Sequence, residues 1–281
     1  MLTNEQFDQT RRLALRLAGI KLFERHREVL ERRMRRLGIH DRAGVDALLN
    51  AADGGDTHAG RQLIGLLTTH FTGFFRHPRH FDLAAEHALW AVHRRGTARL
   101  WSAAAATGEE AYSLAMALID IFQRNNPPVT ILATDIDEDA LAVARHGEYG
   151  ELSLSRLEAD HRTRFFSQTG DARHWRISQA ARGLVEFRML NLTDSAWPVE
   201  GSFDVVFCRN VLMYLEACHR YAVLERMASV LAPDGVLILD PTEYLGKAGH
   251  LFAHRDDGIY SSRPRSRGRQ ELKQGDIGKF A

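Results

Sequence analysis

The residues with chemical potential lie where short apolar runs give way to polar side chains. Asp135 closes VTILATD, Asn191 and Leu192 follow FRML in LNLTD, and Arg209, Asn210 and Tyr214 follow FDVVFC in RNVLMY. A polar residue just after a buried strand sits at the carboxyl edge of a sheet, where α/β folds bind ligands. An acid 27 residues after Gly108 stands where doubly wound folds accept hydrogen bonds from ribose hydroxyls, although an ordinary loop aspartate gives the same spacing. The run AAAATGEEAYSLAM (103 to 116) places small residues before a helix whose free N–H groups could face a ligand. Close packing of helix on strand explains it equally well. Glu109 and Glu110 are first-turn acids that favour the helix dipole. Arg76, between the aromatics of FTGFFRHPRHF and the strand region, is placed either to fork a carboxylate or to make a structural ion pair. These features together suggest an adenosine-type cofactor, with dinucleotide and S-adenosylmethionine both open.

The elements that must position these residues are legible in the periodicity. ARLWSAA (98 to 104), VTILATD (129 to 135), FDVVFC (203 to 208) and GVLILD (235 to 240) read as strands. They alternate with helices over Glu109 to Gln123, Glu138 to Arg145 and His219 to Leu231, which predicts βαβ units and a parallel sheet. Residues 150 to 188 are polar and irregular, with a strand expected near HWRIS (174 to 178), and read as an inserted subdomain. The first 80 residues hold only helical patterns, broken at Gly19, Gly38 and AADGGD, and predict a small helical domain. Phe71, Phe74, Phe75 and Phe81 read as core anchors. The division expected is a helical domain over 1–80, a cofactor-binding domain over 81–262 and a mobile, Arg/Gly/Ser-rich tail over 263–281.

Composition narrows the classes. With 281 residues, 44% hydrophobic and 26% charged, the chain has material for a full α/β domain and a smaller partner. A net charge of +1 and the lack of an aromatic-basic stacking strip argue against nucleic acid. No run reaches the ~18 apolar residues of a membrane span and the opening MLTNEQFDQTRR has no signal-like core, so a cytoplasmic protein is expected. Cys208 and Cys218 form no disulfide framework or zinc pattern, and His77 and His80 are separated by Pro78 with no third ligand in view. No metal is expected. Charge is uneven, with 14 Lys+Arg against 9 Asp+Glu in residues 1 to 80. Arg25, Arg32 and Arg36 fall within ~40° of each other on a helix read over 23 to 37, either as a solvated face or as a docking stripe.

Six strings, THFTGFFR, RLWSAAAATGEEAYSLAM, ILATDIDEDALAVARHGEY, FRMLNLTD, FDVVFCRNVLMYLE and LAPDGVLILDPTE, resemble the CheR family of chemotaxis receptor methyltransferases from about residue 60 to 262. The resemblance implies a Rossmann-like class I methyltransferase sheet, an N-terminal helical domain and a small antiparallel β subdomain inserted late in the sheet. It also decides the cofactor as S-adenosylmethionine. By motif position, His70, Thr72, Arg76, Glu110, Asp135, Asn191, Leu192, Arg209 and Asn210 correspond to residues lining the family's cofactor site, and Tyr214 to a tyrosine near the transferable methyl. His70 replaces a common Asn, Ala106 a common Ser, and DPTE (240 to 243) the usual GHSE, which predicts reshaped loops at the sheet edge. The stretch around QTGDARHW lacks the glycine-flanked loop of members that dock a receptor's C-terminal pentapeptide, so tether-independent recognition is expected.

The implied reaction esterifies glutamate side chains on the cytoplasmic helical bundle of methyl-accepting receptors, by a monomeric enzyme. A glutamate with a pKa near 4.3 is already ionised at neutral pH, so no general base is required. The expected catalytic residues are Arg76, chiefly as a cofactor-positioning group, and Tyr214, orienting the attacking oxygen. The competing expectation is a non-catalytic signalling module that binds the same cofactor.

Overall fold

The structure is a computed structural model and describes residues 2–68, 72–171, 173–199 and 201–263. His70, Phe71 and the tail from 264 lie outside the described residues.

The chain begins with four helices, α1 (Asn4–Ala18), α2 (Arg27–Arg36), α3 (Arg42–Asp53) and α4 (Thr57–Leu67), with a 3-10 turn over Glu24–His26. Thr3 and Gln6 form a capping box on α1, and Asp41 and Asp56 cap α3 and α4 through their carboxylates. Their apolar faces meet around Phe7, Leu13, Leu30, Met34, Leu49 and Leu63, all at most 3% exposed. α2 starts at Arg27, so Arg32 and Arg36 share a regular helical face while Arg25 sits on the preceding turn. The Phe23 N–H bonds to the His26 ring there, and the Arg25 guanidinium lies 4.7 Å from the Phe23 ring centre.

The remaining elements are α5 (Pro78–Arg95), β1 (Ala98–Ser102), α6 (Glu109–Phe122), β2 (Val129–Asp135), α7 (Glu138–His146), β3 (Glu148–Gly150), α8 (Glu151–Leu154), α9 (Ala159–Phe165), β4 (Phe166–Gln168), β5 (His174–Ile177), α10 (Gln179–Arg182), β6 (Val185–Met189), β7 (Phe203–Phe207), α11 (Ala217–Val230), β8 (Leu231–Ile238), β9 (Phe252–Asp256) and β10 (Ile259–Ser262). Seven strands form one sheet in the order β6-β2-β1-β7-β8-β10-β9, parallel except that β10 runs antiparallel to both neighbours. This is the Rossmann-like α/β sheet expected from the sequence. The order reverses between β1 and β7, which makes a crevice at their carboxyl ends. Neighbouring residues alternate between faces: Leu100 joins Phe81, Ala84 and Leu118 on one side, Trp101 joins Val223, Leu224 and Met227 on the other.

A second, antiparallel sheet β3-β5-β4 is inserted between α7 and β6. The insertion therefore precedes the third strand of the large sheet and does not come late in it. It begins at Glu148, and β6 pairs in parallel with β2, so the residues expected to close the insertion at 188 belong to the large sheet. The reason is exposure: VEFRM is an edge strand covered on one side only, and its Glu and Arg gave it a loop-like composition.

The helical unit joins the sheet by a strand-like contact. Ile20 bridges Leu215, Lys21 N–H donates to the Tyr214 carbonyl at 2.9 Å, and Glu216 N–H donates to the Gly19 carbonyl at 3.0 Å. Gly19 has φ +64°, and a Cβ there would stand 2.6 Å from the Thr193 methyl, so only glycine permits this approach.

Candidate active site

Four strand ends of the large sheet and the α1 terminus enclose one cleft of about 1040 Å³, part of it open to solvent. It is lined by Thr72, Arg76, Glu110, Asp135, Asn191, Leu192, Arg209, Asn210 and Tyr214, so every described residue carried over as a site residue faces the same space. Ala18, Ile20, Leu67 and Thr68 line it from the helical side, a contribution that no strand-end motif signals.

Asp135 ends β2 and is 8% exposed. Its carboxylate accepts Ala106 N–H at 2.8 Å and Asp137 N–H at 3.0 Å. Those two bonds fix the orientation of the carboxylate. The same contact shapes the loop after β1. Ala106 takes φ +47° and Gly108 φ +95°, and the Tyr149 hydroxyl donates to the Thr107 carbonyl at 2.8 Å. A Cβ at Gly108 would lie 2.8 Å from the Ala144 methyl, so the single surviving glycine serves close helix packing as well as the left-handed turn. The alternatives left open for this segment are both realised: it packs tightly and it lines the cleft.

Glu110 and Arg209 form a buried pair on the cleft floor, with side chains 12% and 2% exposed and an N–O distance of 3.2 Å. Burial pushes the Glu110 carboxyl up from its ordinary value, against the opposing pull of Arg209 and of the Ser102 hydroxyl, which donates at 2.8 Å. A second Arg209 nitrogen donates to the Arg76 carbonyl at 2.7 Å. Arg209 thus fastens the segment that carries Arg76 to the sheet. The backbone of that segment is left-handed at Phe75 (φ +49°) and His77 (φ +62°), both non-glycine, which is the strain expected where a side chain is aimed for function.

Arg76 meets Asp240 at 3.7 Å, and His77 meets the same oxygen at 3.5 Å. Burial works to raise the Asp240 carboxyl, yet hydrogen bonds from Thr242 and Asn210 and the Arg76 charge hold it down at about 2. Glu243, 5% exposed, accepts N–H groups from Asn210 (2.8 Å), Leu212 (2.9 Å), Met213 (3.3 Å) and Asp240 (3.3 Å). Those bonds partly offset the upward push of burial on its carboxyl. They also hold Asn210 at φ +59° and build the turn that presents Tyr214, 38% exposed, at the cleft rim. Asp240 and Glu243 enter the sequence reading only through DPTE, as a reshaped loop and not as site residues. Their signal was the acid closing LILD and the Glu three residues on, a strand end like the others.

Asn191 faces the cleft, but its amide is already engaged: Nδ2 donates to the Leu17 carbonyl at 2.8 Å and Oδ1 accepts from the Thr193 N–H and hydroxyl. It caps its turn and ties α1 to the sheet edge. Leu192 supplies apolar wall, together with Ile136 and Leu190. Arg25, Arg32 and Arg36 lie outside the cleft lining and are exposed.

Residues 70–259 match the family described as CheR methyltransferase, SAM binding domain. The chain is 38% identical over 267 residues to Chemotaxis protein methyltransferase 2 of Pseudomonas aeruginosa, covering 92% of this chain and 93% of that protein. It is 35% identical over 269 residues to the Chemotaxis protein methyltransferase of Escherichia coli, covering 92% and 91%.

Proposed function

Since this chain belongs to the CheR methyltransferase family, we propose that its cleft holds S-adenosylmethionine across the ends of β1, β2, β6 and β7, and that a receptor glutamate enters past Tyr214. The cofactor is S-adenosylmethionine and the reaction is methylation of glutamate side chains on chemotaxis receptors. The observation that carries the site assignment is the convergence of Asp135, the small-residue loop 103–108 and Arg76 on one space.

The residues fit the cofactor by chemistry. Asp135 suits ribose hydroxyls, Ile136, Leu190 and Leu192 suit an apolar ring, and the Ala-rich loop lets backbone approach. Arg76 suits a carboxylate. The bound cofactor supplies an electrophilic methyl on a positively charged sulfonium. The attacking carboxylate is ionised at neutral pH, so the chain's own residues align groups and exclude water, and none needs to remove a proton. Tyr214 is positioned to donate to the incoming carboxylate from the rim. Arg76 is steadied by Asp240, which moderates its pull on any other carboxylate. The division into a helical unit (1–80), a catalytic unit (81–262) and the inserted sheet is part of this reading, as is a cytoplasmic setting. Among the described residues no helix is long and apolar enough to cross a membrane.

The assignment is tested by calorimetry with S-adenosylhomocysteine and by labelled-methyl transfer to receptor cytoplasmic fragments. Asp135→Ala is expected to weaken cofactor binding by about 1 to 3 kcal/mol, the scale of a hydrogen bond to a charged group. Unchanged affinity would remove Asp135 from the site. Base-labile methyl label on the receptor is expected from the wild type. Cofactor binding without transfer would favour a signalling module in place of an enzyme.

The exposed cations of α2 and of the turn before it fit a glutamate-rich helical bundle as partner. Arg25, Arg32 and Arg36 all changed to Glu should lower kcat/KM about tenfold at low salt and flatten its salt dependence, with S-adenosylhomocysteine affinity unaltered. Normal methylation by the triple variant at low salt would leave the three as a solvated face.

A further inference from the structure

Beyond the cleft, the turn into α11 gathers three groups of mixed character. Glu216, Cys218 and His219 each bring one ligand atom within 4.8 Å of the other two. The Cys218 Sγ lies 3.6 Å from His219 Nδ1 and 3.9 Å from the Glu216 carboxylate. A tetrahedral zinc ion with bonds of about 2.3 Å to sulfur and about 2.0 to 2.2 Å to nitrogen and oxygen would set ligand atoms about 3.6 Å apart. The two separations from the Cys218 Sγ are close to that.

The groups are also held. Glu216 is tied by its N–H to the Gly19 carbonyl, and the His219 ring packs against Gly19, whose added Cβ would stand 3.1 Å from the His219 Cγ. Cys218 is exposed, whereas Cys208, the other cysteine, is fully buried, with its thiol pushed well up by burial. The surface therefore offers one thiol, at a corner between α1 and α11. We propose that Glu216, Cys218 and His219 form a binding site for a borderline-soft divalent cation of the zinc type, with water in the fourth position. Thiolate, imidazole and carboxylate select such an ion over calcium or magnesium, which prefer all-oxygen shells. The amino end of α11 carries about half a positive charge, which opposes the ion but favours its two anionic ligands beforehand.

The corner lies two residues after Tyr214 and contributes nothing to the cleft lining, so the site is independent of the methyl-transfer reading. The test uses the full chain. Co2+ titration should give one equivalent bound with a thiolate-to-metal band in the near ultraviolet, and Zn2+ should displace it. Cys218→Ser should abolish the band, and His219→Ala and Glu216→Gln should each weaken Zn2+ binding at least ~10-fold, since even outer-shell partners are worth that much. The rise in Tm with S-adenosylhomocysteine, measured metal-free, should persist in all three variants and certifies their fold. Wild-type Zn2+ affinity equal to that of Cys218→Ser, or indifferent to His219→Ala, would overturn the site. A failure of the S-adenosylhomocysteine-induced shift in the wild type would instead count against the cofactor cleft and leave the metal result standing.

Discussion

Glu110→Gln is expected to destabilise the fold by about 3 kcal/mol, the lower end of the range for removing one partner of a buried ion pair. Arg209 is permanently charged and its side chain is 2% exposed, so loss of the carboxylate leaves a cation in the core with no counter-charge. The amide can still accept from Ser102, which limits the packing change and isolates the electrostatic term. Arg209 also carries the Arg76 carbonyl, so the segment around the left-handed Phe75 and His77 should loosen and cofactor affinity should fall with stability. Urea unfolding with and without S-adenosylhomocysteine reads both. Replacing both members, Glu110→Gln with Arg209→Met, should recover part of the loss, because no buried cation is then left without its counter-charge. A single variant within about 1 kcal/mol of wild type would mean that the pair contributes little, and that something else holds Arg76 in place.

The pair illustrates what the sequence makes legible. Asp135, Asn191, Arg209 and Tyr214 were found because each follows an apolar run, and an apolar run in an alternating α/β pattern puts its carboxyl end at the crevice. That logic locates a residue but not its partner. Glu110 and Arg209 are 99 residues apart, and nothing local announces that they neutralise each other. Asn191 was ambiguous between ligand contact and turn cap, and its amide bonds to Leu17 and Thr193 fill the capping role while its side chain still faces the cleft. The helical wall is the same case: Gly19 reads as a break in α1, and only the folded chain shows it allowing Ile20 to bridge Leu215. The start of the insertion and the identity of β6 were obscured by exposure, since an edge strand with one covered face has a polar composition. The loop holding Glu243 stood out as DPTE, but its role did not, because a carboxylate that satisfies four backbone N–H groups in a loop leaves no periodic trace.

Arg76→Ala is expected to lower kcat/KM for methyl transfer by about 2 to 3 kcal/mol, roughly 30- to 150-fold, if its guanidinium holds a carboxylate of cofactor or substrate. The alternative is that Arg76 serves only as the partner of Asp240, 3.7 Å away. The two roles separate with Asp240→Asn, which removes the ion pair and leaves the arginine. A structural Arg76 predicts equal losses in the two variants, and that equality would sink the carboxylate-holding role. A cleft role predicts that Asp240→Asn retains most activity, with any change in KM rather than kcat. Stability against pH supplies the control. The Asp240 carboxyl is depressed in the fold to about 2 from an ordinary 3.8, chiefly by Thr242 and Asn210 against the opposing effect of burial. A depressed carboxyl contributes stability that is fully present above its unfolded value and is lost as pH falls through the folded one. Wild type should therefore exceed Asp240→Asn by a term of about 2 kcal/mol above pH ~4, and the term should vanish as pH falls from about 4 to about 2. Because the hydrogen bonds from Thr242 and Asn210 outweigh the Arg76 charge, Arg76→Ala should keep most of that acid transition, losing activity while leaving the stability profile nearly intact.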